Sequence, residues 1–136
     1  MKQRKIDKFR TISKLDKKKL SNYSELNKIS SSIVILTNER KEHIFKNHPE
    51  FFDEIIDGLE ETINNPNEIR VNNKDKSELN YIRQLDKNNQ IEIVKINITN
   101  DKHHLENSII SSWIINNKYL KKYNNTTTII YKKGLK

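Results

Sequence analysis

"IVILTNERKEHIFKNHPEFFDEIIDGLEETINNP" occupies residues 33–66, and its reading decides the fold. "IVIL" at 33–36 is short, apolar and β-branched, which predicts a buried strand. Thr37 or Asn38 can N-cap a helix, with Glu39 favourably placed in its first turn. That helix ends by Asn47, because the residue before a proline is pushed out of the α region, and here that residue is His48. Pro49 suits the first position of a second helix. Phe52, Ile55, Ile56, Leu59 and Ile63 then recur at helical spacing, while Glu50, Asp53, Glu54, Asp57, Glu60 and Glu61 fall on the opposite face. Pro66 stops this second helix.

Beyond Pro66 the period changes. "EIRV", "LNYIRQL", "IEIVKINI", "SIISSWII" and "TTTIIY" are β-rich runs separated by polar breaks, with "KYLKKY" as a short helix before the last. Helices followed by sequential strands predict an α+β fold, with N-terminal helices packed on a four- to five-stranded antiparallel sheet. Upstream, Ile6, Phe9, Ile12 and Leu15 recur every third residue, as do Leu20, Tyr23, Leu26 and Ile29. That spacing predicts a helical arm over residues 1–32, ending at "SSS" (30–32), with the main domain at 33–136.

Charge reinforces this division. Residues 1–30 hold ten Lys/Arg against three acids, whereas residues 31–136 hold sixteen against fifteen. The basic arm points to a polyanion or an acidic protein as partner. Isoleucine, with 21 copies and no alanine in the chain, must build most of the core. The absence of cysteine excludes disulfides and thiolate metal sites, and fits a reducing cytoplasm. No apolar run is long enough to cross a membrane. Two glycines, Gly58 and Gly134, are too few for a P-loop or a dinucleotide fingerprint.

Two imidazoles flank the helix–proline joint. His43 and His48 are five residues apart, so on an unbroken helix they would point ~140° from each other, too far round to share a metal. No metal site and no cofactor is expected. "HH" at 103–104 lies in a polar loop. Imidazole can still act as a general base or acid near neutral pH. RNA carries its own nucleophile, the 2′-hydroxyl, so its cleavage needs only positioning, proton transfer and charge stabilisation at phosphorus. Polar residues that interrupt buried strands, such as Lys95 and Ser111, mark a further candidate surface, since a buried hydroxyl costs about 1–3 kcal/mol unless hydrogen-bonded.

"ILTNERKEHIFKNHPEF", "INNPNEI", "NSIISSWII" and "IIYKKG" occur in that order. This ordered set resembles the phage-associated branch of the barnase, EndoU, colicin and RelE-like nucleases, across about residues 33–134. The resemblance implies a compact α+β domain with two N-terminal helices on an antiparallel sheet, acting as a metal-independent endoribonuclease. It also implies a toxin role, with RNA as substrate and an antitoxin or inhibitor as a possible partner. The matching positions are Arg40, His43, His48, Asn107, Ser108 and Ser111, the last where the family pattern has serine or threonine. On this reading His43 and His48 are base and acid in either order, and Arg40 or Lys95 contacts the scissile phosphate. Ser111 and Asn107 bind phosphate or orient a histidine, Ser108 accompanies them, and Arg83 is a further cation. Plainer roles stand beside these: an ion pair with Glu39 or Asp53 for Arg40, a turn cap for Asn107, a backbone bond for Ser111. A non-catalytic nucleic-acid-binding or protein-interaction module is the alternative function.

Overall fold

The computed structural model describes residues 8–98 and 106–134. Among these residues seven strands form one sheet: β1 (Phe9–Lys14), β2 (Ile33–Thr37), β3 (Glu68–Asn72), β4 (Glu78–Gln84), β5 (Asn88–Lys95), β6 (Asn107–Asn116) and β7 (Thr127–Lys132). Their spatial order is β1-β2-β6-β5-β4-β3-β7. Helices α1 (Asn38–Asn47), α2 (Phe52–Asp57) and α3 (Leu59–Asn64) fill the connection from β2 to β3; α4 (Asn117–Leu120) and a 3₁₀ turn, Lys121–Asn125, join β6 to β7. The class is α+β. The sheet is larger than the expected four or five strands and is mixed, because β2 and β6 run parallel. The helices follow a strand pair instead of opening the fold.

The largest departure is at the N-terminus. Residues 9–14, expected to be helical, pair antiparallel with β2 as β1. The physical reason is tertiary: Val34, Ile35 and Leu36 are all buried, and a buried strand edge without hydrogen-bond partners is costly. A bulge at Ile12, between the pairs Thr11–Ile35 and Ser13–Val34, absorbs the every-third spacing that mimicked a helix. Leu15, Leu20, Tyr23 and Ile29 then join the main core through turns and one 3₁₀ turn, Leu26–Lys28. The Tyr23 hydroxyl donates to the Lys76 carbonyl, and burial pushes its pKa up to about 12. The described part of residues 1–32 is thus built into the body.

The helix–proline joint forms as the sequence predicts. Thr37 Oγ1 accepts from the Arg40 amide at 3.2 Å, α1 ends at Asn47, and His48 leaves the helix at φ −137°, ψ 57°. Pro49 opens a 3₁₀ turn, Pro49–Phe51. The expected second helix is broken at Gly58 into α2 and α3. A methyl group at Gly58 would collide with Gln90 Oε1 and Arg83 Nη2, so the backbone there must lie against the sheet. Ile55, Leu59 and Ile63 face Ile69, Tyr81, Val94 and Ile109 in the core.

β6 pairs with β2 only through Val34–Asn107 and Ile35–Ser108. Past Thr37 the flank of β6 is taken by α1, which carries His48 to the far end of that strand. Among the described residues no helix is long and apolar enough to cross a membrane.

Candidate active site

A second bulge organises the site. Against β5, Ser111 pairs with Ile93 but Ile109 pairs with Val94, leaving Ile110 as the extra residue. Ile109 therefore turns into the core with Val94, while Ser111 shares the outer face with Ile93 and Ser108 shares it with Lys95. Strict alternation would have set Ser108 and Ser111 on opposite faces. With the bulge, Ser108, Ser111 and Trp113 stand in successive rows about 7 Å apart on one face.

The row of Ser111 continues sideways through Ile93 and Asn80 to Arg70. Arg70 is only 5% exposed. Its guanidinium donates to Glu68 Oε1 at 3.1 Å and to Asn124 Oδ1 at 2.9 Å, which ties β3 to the turn after α4. The row of Trp113 passes through Ile91 and Ile82 to Glu68. Ile82 and Ile91 are buried on this face, apart from the main core.

Three rings line one end of the face. The imidazole of His48 is stacked on Trp113, with centroids 6.0 Å apart and planes 21° from parallel. Tyr123, from the 3₁₀ turn, lies 6.4 Å from Trp113 on a tilted plane. Arg40 and His43 precede His48 on α1; by helical spacing Arg40, His43 and Asn47 share a side of that helix. His43 is exposed, with Asn47 Nδ2 3.0 Å from its Nε2. His48, Trp113 and Ser111 are thus brought to one surface. His103 and His104 lie outside the described residues.

Other candidate residues have structural partners. Lys95 forms an ion pair with Asp75 at 2.7 Å, and the bonds from Lys95 and Ser77 lower the Asp75 pKa to about 2. It lines a cleft of about 630 Å³ with Ser108, Lys74 and Lys76. Asn107 is fully buried: its Nδ2 donates to the carbonyls of Ser31 and Ile33, and its Oδ1 accepts from the Asn97 amide. It fastens β6 to the entry of β2 and has no open surface for a phosphate. Arg83 is on the core face, where Nε donates to Thr62 Oγ1 at 3.0 Å and Nη2 to Gln90 Oε1 at 3.1 Å. It is separated by the sheet from Ser111 and His48.

That same core face holds a group the sequence did not single out. Glu92 is fully buried, and neither carboxylate oxygen has a hydrogen-bond partner. Burial raises its pKa well above the ordinary 4.5, with Arg83 only partly offsetting. Trp113, Arg70 and Asn80 stand on the outer face, and Tyr123 lies beside Trp113. Arg70 in "EIRV" and Asn80 in "LNYIRQL" carry the same signal as Ser111, a polar side chain in mid-strand. Tyr123 carries none, because its proximity to Trp113 arises from the turn after α4.

A family model described as phage-Barnase-EndoU-ColicinE5/D-RelE like nuclease2 matches residues 7–132. The chain belongs to this nuclease family. The match begins at residue 7 and so takes in β1, in keeping with the strand's place in the sheet. No curated protein and no solved structure matches the chain.

Proposed function

We propose that this nuclease cleaves RNA without a metal ion, by attack of the ribose 2′-hydroxyl on the adjacent phosphorus. The observation that carries the reading is the stacking of His48 on Trp113 at the end of the face that presents Ser111 and Ser108. His48 accepts the 2′-hydroxyl proton or donates one to the departing 5′-oxygen; His43 or a solvent molecule serves the other end. The new O2′–P bond replaces the P–O5′ bond, giving a 2′,3′-cyclic phosphate and a free 5′-hydroxyl. Trp113 and Tyr123 offer faces on which a base can stack. Ser111 and Ser108 donate to phosphate oxygens in successive rows, and Arg40 balances charge from α1. A toxin role in the cytoplasm, with an inhibitor protein as natural partner, is part of the same proposal.

The test is cleavage of a fluorogenic RNA in excess EDTA, with end-group analysis of the products. EDTA-resistant cleavage with 2′,3′-cyclic ends is expected. His48→Ala should lower kcat about 10²–10⁴-fold, and His43→Ala less than about tenfold if solvent replaces it. Cleavage abolished by EDTA, or intact after His48→Ala, would refute the mechanism. Equal cleavage of DNA, which lacks the 2′-hydroxyl, would refute the substrate.

A further inference from the structure

The molecule carries a net charge of +8, yet residues 50–61 hold six carboxylates and no basic residue. Glu50, Asp53, Glu54, Asp57, Glu60 and Glu61 are all exposed. None of the six forms an ion pair among the described residues. Such a ridge repels a nucleic acid, so the nuclease reading gives it no task. It is not merely a solvated helix face, because large exposed apolar groups stand in it and beside it. Phe45 is 55% exposed and Phe51 41%. Phe45 packs edge-on against Phe52 with centroids 5.0 Å apart. Together with Pro49 these rings floor a recess of about 290 Å³, whose rim is Glu50, Asp53 and Glu54.

We infer that this recess is a docking site for a basic segment of a partner protein, one that inserts aliphatic or aromatic anchors between Phe45 and Phe51 while its lysines or arginines meet the rim. The exposed Phe45 and Phe51 rings supply apolar area for burial, about 25 cal/mol per Å² covered. The one-signed rim selects the partner's charge and speeds its approach. Pro49 and Glu50, two of its lining residues, directly follow His48 in the chain. The site stands on charge and aromatic exposure alone and does not depend on which nucleic acid is cleaved.

A display library of random 16-residue peptides, selected on the full chain, provides the probe. Expected are enriched peptides with a clear excess of Lys/Arg and at least two large apolar residues, and binding that weakens on raising salt from 0.1 to 0.5 M. Asp53→Lys with Glu54→Lys, and separately Phe51→Ser, should each weaken binding at least tenfold. All three side chains are exposed, and an unchanged thermal midpoint shows that the variants fold. No enrichment, enriched peptides without basic excess, or binding untouched by both sets of substitutions would overturn the inference. So would a wild-type dimer in sedimentation that Phe51→Ser dissociates, since the occupant would then be a second copy. Loss of RNA binding in Phe51→Ser would equally overturn it, by making the recess part of the substrate track.

Discussion

Replacing Glu92 by glutamine should make the protein more stable at neutral pH and flatten the pH dependence of its stability. The carboxyl is fully buried, and both oxygens lack a partner in the folded chain. Burial raises its pKa well above 4.5, and the partial attraction of Arg83 does not restore it. Folded protein therefore keeps a proton that the unfolded chain releases as pH rises past the ordinary carboxylate value. The folded state binds more protons in that window, so raising pH favours unfolding. The contribution of Glu92 is whole below the unfolded pKa and falls by about 1.4 kcal/mol per pH unit above it, until the folded group itself ionises. Each pH unit of that window is a sizeable share of the 5–15 kcal/mol typical of a domain. Urea titrations of wild type and Glu92→Gln at pH 5, 6 and 7 measure it. Both proteins contain the same histidines, whose titration cancels in the difference. Parallel stability–pH curves would show that Glu92 is ionised in the fold, and would refute the reasoning.

Other substitutions probe separate parts of the structure. Leu20→Ala should cost about 2–5 kcal/mol in urea unfolding, because the side chain is fully buried in the core; a change below about 0.5 kcal/mol would mean a detached arm. Asn107→Ala should lower stability by about 2–3 kcal/mol through its lost bonds to Ser31, Ile33 and Asn97. Ser111→Ala should leave the urea midpoint nearly unchanged and lower RNA cleavage at least about tenfold; the opposite pattern would make Ser111 structural. Gly58→Ala should cost about 1–3 kcal/mol, as the added methyl displaces Gln90 and Arg83, and a neutral thermal midpoint would contradict that close approach.

Local chemistry alone specified the joint at residues 37–52. A threonine cap, a residue forced from the α region by proline, and proline's fit to a helical first turn all act within a few residues. The same holds for the β-rich runs after Pro66, each of which became a strand within one to three residues of its expected ends. The ordered motifs likewise pointed to the nuclease family before any fold was known. The placement of residues 9–29 could not be read this way. Their every-third spacing satisfies a helix, and only the open edge of β2 makes a bulged strand the better solution. Nor could alternation along "NSIISSWII" reveal the bulge at Ile110, which needs β5 beside it. Arg83 and Ser111 look alike as polar interruptions of strands, yet pairing sends one to the core face and the other to the outer face.

Sequence by itself therefore determined the class, the helix–proline joint, the strands from residue 33 onward and the family, since these follow from short-range preferences and apolar period. Which side chains meet across the sheet was decided by tertiary structure, because register and bulges depend on hydrogen bonds between segments distant in the chain.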